Sequence, residues 1–297
     1  MQVLLQVLTL FLLMMCGLFS MKKGLLDDRG AATLNMLVLT FAQPALILTG
    51  MQKDASPELI RDLLWTFLLA CVIIGISGLI ASRVFLREEK QRRAVLTNMA
   101  MVSNCGFMGY PVIIAALGQD ALIYAVMYVS AFNLMSWTVC AGIFGGRKAM
   151  QPLQLLKTPS LLAVLAGFVL FLTGWRLPGF VNDALTMLGN LTTPVAMYVI
   201  GSRLSGLKLS HLTDLPLLAA CLLRLIVFPL TTLFLLRLTP LSQPVISALY
   251  LCTAMPCAAL TAMMAERYDS DKLLASRGVA LSTALSMATV PLMLLLL

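Results

Sequence analysis

The sequence predicts an all-α polytopic membrane protein with ten transmembrane helices. Of its 297 residues, 60% are hydrophobic and 11% are charged, and the mean hydropathy is +0.94. A soluble domain cannot bury so large an apolar share, so lipid is the predicted solvent for most of the chain. A spanning helix needs about 20 largely apolar residues. Ten segments meet that condition: 2–21, 31–51, 60–85, 93–117, 120–144, 158–175, 182–203, 214–236, 242–266 and 272–296.

Lysine and arginine between these segments predict the orientation, because cytoplasmic loops collect positive charge. Four lie in or beside the even-numbered connections, namely Lys53, Arg61, Arg176 and Arg237. Sixteen lie in or beside the odd-numbered ones: Lys22, Lys23, Arg29, Arg83, Arg87, Lys90, Arg92, Arg93, Arg147, Lys148, Lys157, Arg203, Lys208, Arg267, Lys272 and Arg277. The odd connections are therefore predicted to be cytoplasmic, with both termini on the outer side of the cell (plasma) membrane. Topology explains the positive charge, and no motif indicates nucleic-acid binding.

The two halves of the chain, 1–150 and 151–297, are predicted to be repeats. Pro44 and Pro194 lie 150 residues apart, each in the second helix of its half. The stretches "QDALI" and "SDKLL", which open the fifth helix of each half, lie 151 residues apart. Because each repeat has an odd number of helices, the second must enter the membrane upside down. Inverted repeats of this kind are typical of secondary transporters.

Two of the predicted helices, the fourth and the ninth, are interrupted near their middles. The fourth contains "SNCGFMGYP", with Gly106, Gly109 and Pro111, and the ninth contains "TAMPCAALT", with Pro256. Each proline removes a backbone donor, and the glycines loosen the backbone further. Paired interruptions in inverted halves indicate a central substrate site, since irregular backbone at this depth must face protein or water. The alternative is that both prolines only kink their helices.

The interruptions also predict the sign of the substrate's charge. A half-helix that begins at the midplane presents unpaired N–H groups and partial positive charge, so two such ends form an anion site. Because proline suits the first helical position, Pro111 and Pro256 are predicted to open the new half-helices. Asn104 and Thr253 are the predicted hydrogen-bonding side chains for a carboxylate. The alternative for Asn104 is a hydrogen bond between helices.

Three further polar residues lie within predicted helices and complete the candidate site. Arg224, in the eighth helix, either binds the substrate anion or neutralises the carbonyl ends of the broken helices. Gln43 either lines the cavity or serves as a hinge or packing residue. Asn133 is a further candidate for substrate contact, and its alternative is a hydrogen bond between helices. All thirteen acidic residues fall in loops or at helix ends, so no carboxylate near the membrane centre is available for proton-coupled cation antiport. The sequence shows no metal-ligand or cofactor motif and no ATP-binding loop.

The motifs "LVLTFAQPALIL", "NCGFMGYPVI", "LTTPVAMYVIGSRL", "LLRLIVFP" and "TAMPCAALTAMMAERYDSD" run the length of the chain. In them the sequence resembles the auxin efflux carrier family, bacterial relatives of the plant PIN-type auxin transporters within the bile-acid/auxin transporter superfamily. The resemblance implies that helices 4 and 9 cross at their breaks. It also implies a transport unit of helices 3–5 and 8–10 that moves against a scaffold of helices 1, 2, 6 and 7. It further suggests a homodimer and small organic anions, such as auxin, malate or malonate, as substrates.

The resemblance assigns substrate contact to Asn104, Gly106, Gly109, Pro111 and Pro256. The long cytoplasmic loop of the plant proteins has no counterpart here, because the halves are joined by only about residues 145–157.

The sequence thus predicts a secondary carrier of small organic anions, an efflux carrier or exchanger that works by alternating access. A sodium-coupled symporter of the bile-acid type is the alternative. A membrane-embedded enzyme and a membrane sensor are weaker alternatives, because no buried nucleophile–base pair and no soluble output domain are evident in the sequence.

Overall fold

The computed structural model describes residues 2–151, 158–206 and 213–297, and Lys157 and Lys208 of the charge count fall outside these ranges. Within them the protein is all-helical and contains no strand beyond one isolated bridge between Ser103 and Cys257. Seven helical stretches in the described ranges are long and apolar enough to cross a membrane, and three apolar helices are shorter. The prediction of an all-α polytopic membrane protein is therefore confirmed at this level.

The α-helices coincide with the apolar segments of the sequence. They are α1 Gln2–Lys22, α2 Asp28–Leu37, α3 Gln43–Gly50, α4 Pro57–Val84, α5 Lys90–Met101, α6 Tyr110–Leu117, α7 Leu122–Met135, α8 Ala141–Gly145, α9 Pro159–Thr173, α10 Gly179–Asn190, α11 Thr192–Arg203, α12 Leu215–Leu222, α13 Phe228–Arg237, α14 Gln243–Ala254, α15 Leu260–Arg267 and α16 Lys272–Leu294. Side-chain caps fix several starts. Ser56 accepts the N–H of Leu59 at α4, and Asp271 accepts that of Leu274 at α16.

Wide π turns join several of these helices where the sequence places a proline. The π segments Val38–Ala42, Cys105–Gly109 and Leu223–Val227 each end two residues before a proline. A proline ring clashes with the carbonyl four residues earlier, and it leaves that carbonyl without its helical donor. The wider π turn accommodates both problems without ending the helix. These prolines therefore mark local widening inside a continuous helical path.

The helices pack in two groups. In the first, α1 packs along α11, and α3 packs against α9 and α10. In the second, α4 packs against α5 and α7, α14 packs against α7 and α13, and α15 packs against α16. The π turn 105–109 of the second group contacts α11 of the first, and α6 contacts α1. The midpoint of the interrupted helix therefore lies at the boundary between the groups.

Glycines hold α1 and α11 together at backbone distance. A Cβ atom at Gly17 would overlap the carbonyl oxygen of Tyr198, and one at Gly201 would overlap that of Met14. Such close approach is the usual way in which helices pack in lipid, where no hydrophobic effect drives them together. The contact between α1 and α11 is the most extensive between any two of the described elements.

Ion pairs join helix ends on both sides of the molecule. At one end, Arg92 of α5 donates to Asp214 at 3.0 Å and to Glu88 at 3.2 Å, and its hydrogen bond to the Asp214 carboxylate raises the pKa of Arg92. At the other end of α4, Lys53 pairs with Asp120, just before α7. The second pair connects the loop after α3, in the first group, to the second group.

Candidate functional site

The two interrupted helices meet at their breaks. Residues 102–104 after α5 and residues 255–258 after α14 are non-helical and begin with extended backbone at Val102 and Met255, and the two segments pair antiparallel through Ser103 and Cys257. The N–H of Asn104 donates to the carbonyl oxygen of Pro256 at 2.7 Å, and the N–H of Ala258 donates to that of Val102 at 3.2 Å. The N–H of Cys257 donates to Ser282 Oγ at 3.2 Å. Each break thus satisfies backbone groups of the other, as a buried non-helical backbone requires.

Arg224 occupies the carbonyl side of this meeting point. Its side chain is 1% exposed. Its guanidinium donates to the carbonyl oxygens of Ala100 at 3.1 Å and Met101 at 2.9 Å, and also to that of Thr253. These oxygens belong to the last turns of α5 and α14, where helices carry partial negative charge. The buried cation therefore neutralises two helix C-termini at once. This is the geometry expected for the second of its two predicted roles, the neutralisation of the carbonyl ends of the broken helices.

The N–H side of the breaks faces a small cavity. Helical backbone resumes at Cys105 and at Leu260, so both new N-termini begin next to the extended residues. The cavity has a volume of about 30 Å³, enough for roughly one or two water molecules. Its lining comprises Asn35, Asn104, Phe107, Val199, Ile200, Arg203, Leu204, Ala259, Val279, Ala280 and Thr283. No acidic side chain is among these described residues, and Arg203 contributes a positive charge.

Asn104 is the one predicted site residue that lines the cavity. Its side chain is 8% exposed, and its carboxamide has no hydrogen-bond partner within the described ranges. Ala259, at the start of the second half of the ninth helix, is exposed although Ala258 before it is buried. Solvent therefore reaches one of the helix N-termini at this point.

The other predicted residues surround the meeting point without lining the cavity. A Cβ atom at Gly106 would come within 3.0 Å of Gln43 Nε2, so Gln43 packs directly on the π turn. Thr253 is fully buried, and its hydroxyl donates to the carbonyl oxygen of Leu249 at 2.7 Å. The hydroxyl of Tyr128 lies 3.2 Å from Thr253 Oγ1. Gly109, Pro111 and Pro256 are buried, and Asn133 of α7 is partly exposed, with no hydrogen bond from its side chain to another described residue.

The expectation that each proline opens its new half-helix is wrong. Helical backbone restarts at Cys105, six residues before Pro111, and Pro111 is the second residue of α6 after a π turn. Pro256 lies in the extended stretch, before α15 begins at Leu260. The extended strand pairing explains this placement, because a proline there loses no helical hydrogen bond while its carbonyl still accepts one.

Three polar cavity residues are not among the site residues predicted from the sequence: Asn35 in α2, Arg203 at the end of α11 and Thr283 in α16. Arg203 lies within the motif "LTTPVAMYVIGSRL", but the sequence gives it a role only as one basic residue of a cytoplasmic connection. Its position in "VIGSRL", one turn after Val199 and Ile200 on the same helix face, is the signal that connects it to the cavity.

Apolar helices, two of them interrupted beside a cavity that contains a few polar groups, are typical of polytopic membrane transporters. A family model described as "Membrane transport protein" matches residues 2–150 and 148–294. The chain is 31% identical over 294 residues to an uncharacterized transporter of Methanothermobacter thermautotrophicus, covering 96% of this chain and 95% of the relative. It is 27% identical over 296 residues to the uncharacterized transporter MJ1031 of Methanocaldococcus jannaschii, with 96% of each covered.

A more distant relative is the uncharacterized transporter YfdV of Escherichia coli, which is 21% identical over 298 residues, with 96% of this chain and 94% of the relative covered. The chain belongs to the membrane transport protein family, the auxin efflux carrier family, which confirms the resemblance seen in the sequence.

Proposed function

We propose that this protein is a secondary carrier of small organic anions, and that the anion binds between the two helix N-termini beside Asn104. The observation that carries the proposal is the separation of charge at the meeting point. Arg224 covers the C-terminal carbonyls, while the opposite side presents helix N-termini, the free Asn104 carboxamide and a cavity with no acidic residue in its described lining. Helix N-termini bind anions without a cationic side chain.

Alternating access follows from the two packing groups. The group built on α1, α3, α9, α10 and α11 corresponds to the scaffold, and the group built on α4, α5, α7 and α12–α16 corresponds to the moving transport unit. The cavity lies where the π turn 105–109 contacts α11, between the two. Since the cavity of about 30 Å³ is smaller than any organic acid, binding requires the groups to separate.

The ten helices form two inverted repeats in this proposal, with helices 4 and 9 crossing at their breaks and both termini outside. On that topology Arg203 and Asn35 lie on the cytoplasmic side and the Lys53–Asp120 pair on the outer side. The structure then represents a state that is closed outside and narrowly open to the cytoplasm of a cell whose plasma membrane holds the protein, as a monomer or a homodimer.

The test is counterflow in proteoliposomes, which detects uniport, proton-linked transport and exchange alike. Liposomes preloaded with malonate, malate, lactate or indole-3-acetate receive the same labelled acid outside. We expect saturable uptake of at least one acid, and Asn104→Ala should raise its KM by about tenfold, the effect of losing one hydrogen bond to a charged group. Asn190→Ala is the matched control, because Asn190 is an exposed asparagine of α10 outside the cavity. Absence of uptake for the whole panel would refute the proposal.

Sodium coupling is the second candidate, and one observation favours it. Thr97, Asn98 and Ser103 lie on or beside the break of the fourth helix, and their side-chain oxygens are buried without hydrogen-bond partners in the described structure. Unwound backbone and neutral oxygens hold sodium in carriers with broken helices. Replacing sodium by choline in the same assay separates the two candidates, because only the symporter would lose uptake.

A further inference from the structure

A cationic side chain, Arg203, lines the cavity, although helix N-termini can bind an anion without one. Arg203 lies in the last turn of α11, on the packing group opposite to Asn104, and its side chain is exposed. Within the described ranges it forms no ion pair, whereas Arg92 and Arg176 are each held by acids. Its guanidinium is therefore available to a ligand.

The polar groups of the cavity are divided between its two walls. Asn104 and the N-terminus at Ala259 belong to the interrupted helices, and Thr283 of α16 lies beside them. Arg203 and Asn35 belong to α11 and α2 on the facing wall. The hydroxyl of Thr283 already donates to the carbonyl oxygen of Val279 at 2.7 Å, so it offers an acceptor more readily than a second donor.

We propose that Arg203 is a second anchoring point for the transported anion and makes the carrier prefer acids with two anionic groups. The inference rests on the proposed function. One carboxylate binds at Asn104 and the helix N-termini, and the second pairs with the Arg203 guanidinium, whose planar fork matches a carboxylate. The same cavity is lined by the apolar side chains Val199, Ile200, Leu204 and Val279, which suit a short carbon chain.

The arrangement also gives Arg203 a part in the transport cycle. Because its partner groups lie on the other packing group, an anion held at both ends connects scaffold and transport unit. A monoanion held only at Asn104 makes no such connection. Arg203 therefore selects the substrate by its charge. It also stabilises the state in which the cavity is closed around the substrate.

The experiment compares malonate with propionate, which have the same number of carbon atoms and differ by one carboxylate. Counterflow KM values for both acids are measured for the wild type, Arg203→Gln, Arg203→Lys and Arg83→Gln. Arg83 is the matched control, because it is an exposed arginine in the last turn of α4 that lines no cavity. Like the removal of Arg203, its removal takes one positive charge from a cytoplasmic connection and one favourable interaction from a helix C-terminus.

Arg203→Gln should raise the malonate KM about tenfold and leave the propionate KM within about twofold, as expected for one lost charged hydrogen bond. Arg203→Lys should recover part of the malonate affinity, and Arg83→Gln should change neither value. Equal KM changes for both acids, no change for either, or transport of propionate without malonate by the wild type would each overturn the role of Arg203. In these cases the carrier function stands. A wild type that exchanges no acid overturns the carrier function itself.

Discussion

The backbone N–H of Asn104 donates to the carbonyl oxygen of Pro256 at 2.7 Å, so the residue after which the fourth helix resumes is held by the proline in the break of the ninth. This bond joins the two halves of the chain at the centre of the molecule. It holds the backbone of Asn104 while leaving the carboxamide free at the cavity. A side chain positioned by a rigid backbone pairing loses little entropy on binding a ligand, which is the condition for a preorganised site.

Removing Arg224 should destabilise the protein more than it changes substrate affinity. Arg224→Gln takes a buried cation away from carbonyl groups at the ends of both α5 and α14. We expect the free energy of unfolding to fall by about 3 kcal/mol, and the melting temperature in detergent to fall by about 5–10 °C. Arg237→Gln is the control, because Arg237 is an exposed arginine of α13 whose removal should cost less than about 1 kcal/mol.

The opposite pattern would assign Arg224 to the substrate. If Arg224→Gln has the melting temperature of the wild type but loses malonate binding, the guanidinium binds the anion and its contacts with the carbonyl groups are secondary.

The two glycines of the fourth helix should respond differently to alanine. A Cβ atom at Gly106 comes within 3.0 Å of Gln43 Nε2, whereas the nearest atom at Gly109 is Cys105 Cβ at 3.6 Å, an ordinary contact. Gly106→Ala should therefore displace the Gln43 carboxamide and lower the transport rate several-fold, and Gly109→Ala should be close to neutral. Counterflow and melting curves of both variants provide the measurement.

A double substitution tests the physical cause. Gln43→Ala should remove most of the effect of Gly106→Ala, because the clashing group is gone. If Gly106→Ala has the same effect in both backgrounds, the contact with Gln43 is not the reason for the glycine.

Breaking the Lys53–Asp120 pair should favour opening on the outer side. This pair joins the two packing groups at the end of the molecule away from the cavity. The pair is solvent-exposed on the Asp120 side, so Lys53→Ala should shift the population of the outward-open state by only about two- to fivefold. The reporter is Ala259→Cys in a Cys16→Ser background, labelled with an impermeant maleimide from the cavity side, because Ala259 and Cys16 are both exposed.

Labelling of the reporter should slow in Lys53→Ala, at most by that factor, because its rate follows the population that is open on the cavity side, and raised salt should slow it in the parent protein. Lys272→Ala is the control, since the Lys272–Asp269 pair lies within a single helix start. Unchanged labelling in Lys53→Ala would show that the pair does not hold the outer side closed.

Much of the architecture was predictable because lipid imposes strong constraints on sequence. Each apolar segment corresponds to helical structure, and the two polar, proline-containing stretches coincide with the breaks. The placement of the prolines was not predictable from helical rules. Pro256 lies in a strand-like pairing whose partner, near Asn104, comes from the other half of the chain. A non-local hydrogen bond of this kind leaves no periodic signal.

The polar lining of the cavity was predictable only in part, for the same reason. Asn104 stands out in the sequence as a polar residue inside an apolar run, but Arg203 and Asn35 lie near helix ends, where polar residues are common. Only the packing of α11 and α2 against the break gives them a place at the site. Thr253 is a different case: its position near the break predicts ligand binding, and in the structure its hydroxyl donates to the carbonyl oxygen of Leu249.

The glycine contact between α1 and α11 has a consequence for how the protein is made. Gly17 and Gly201 allow the first helix to lie against a helix that the ribosome completes only after the whole first half has been synthesised. Until then α1 resides in the bilayer with its main partner missing and its glycine face exposed to lipid. Assembly of the membrane domain is therefore completed after insertion, and a nascent chain truncated before α11 leaves an orphaned first helix as a target for membrane quality control.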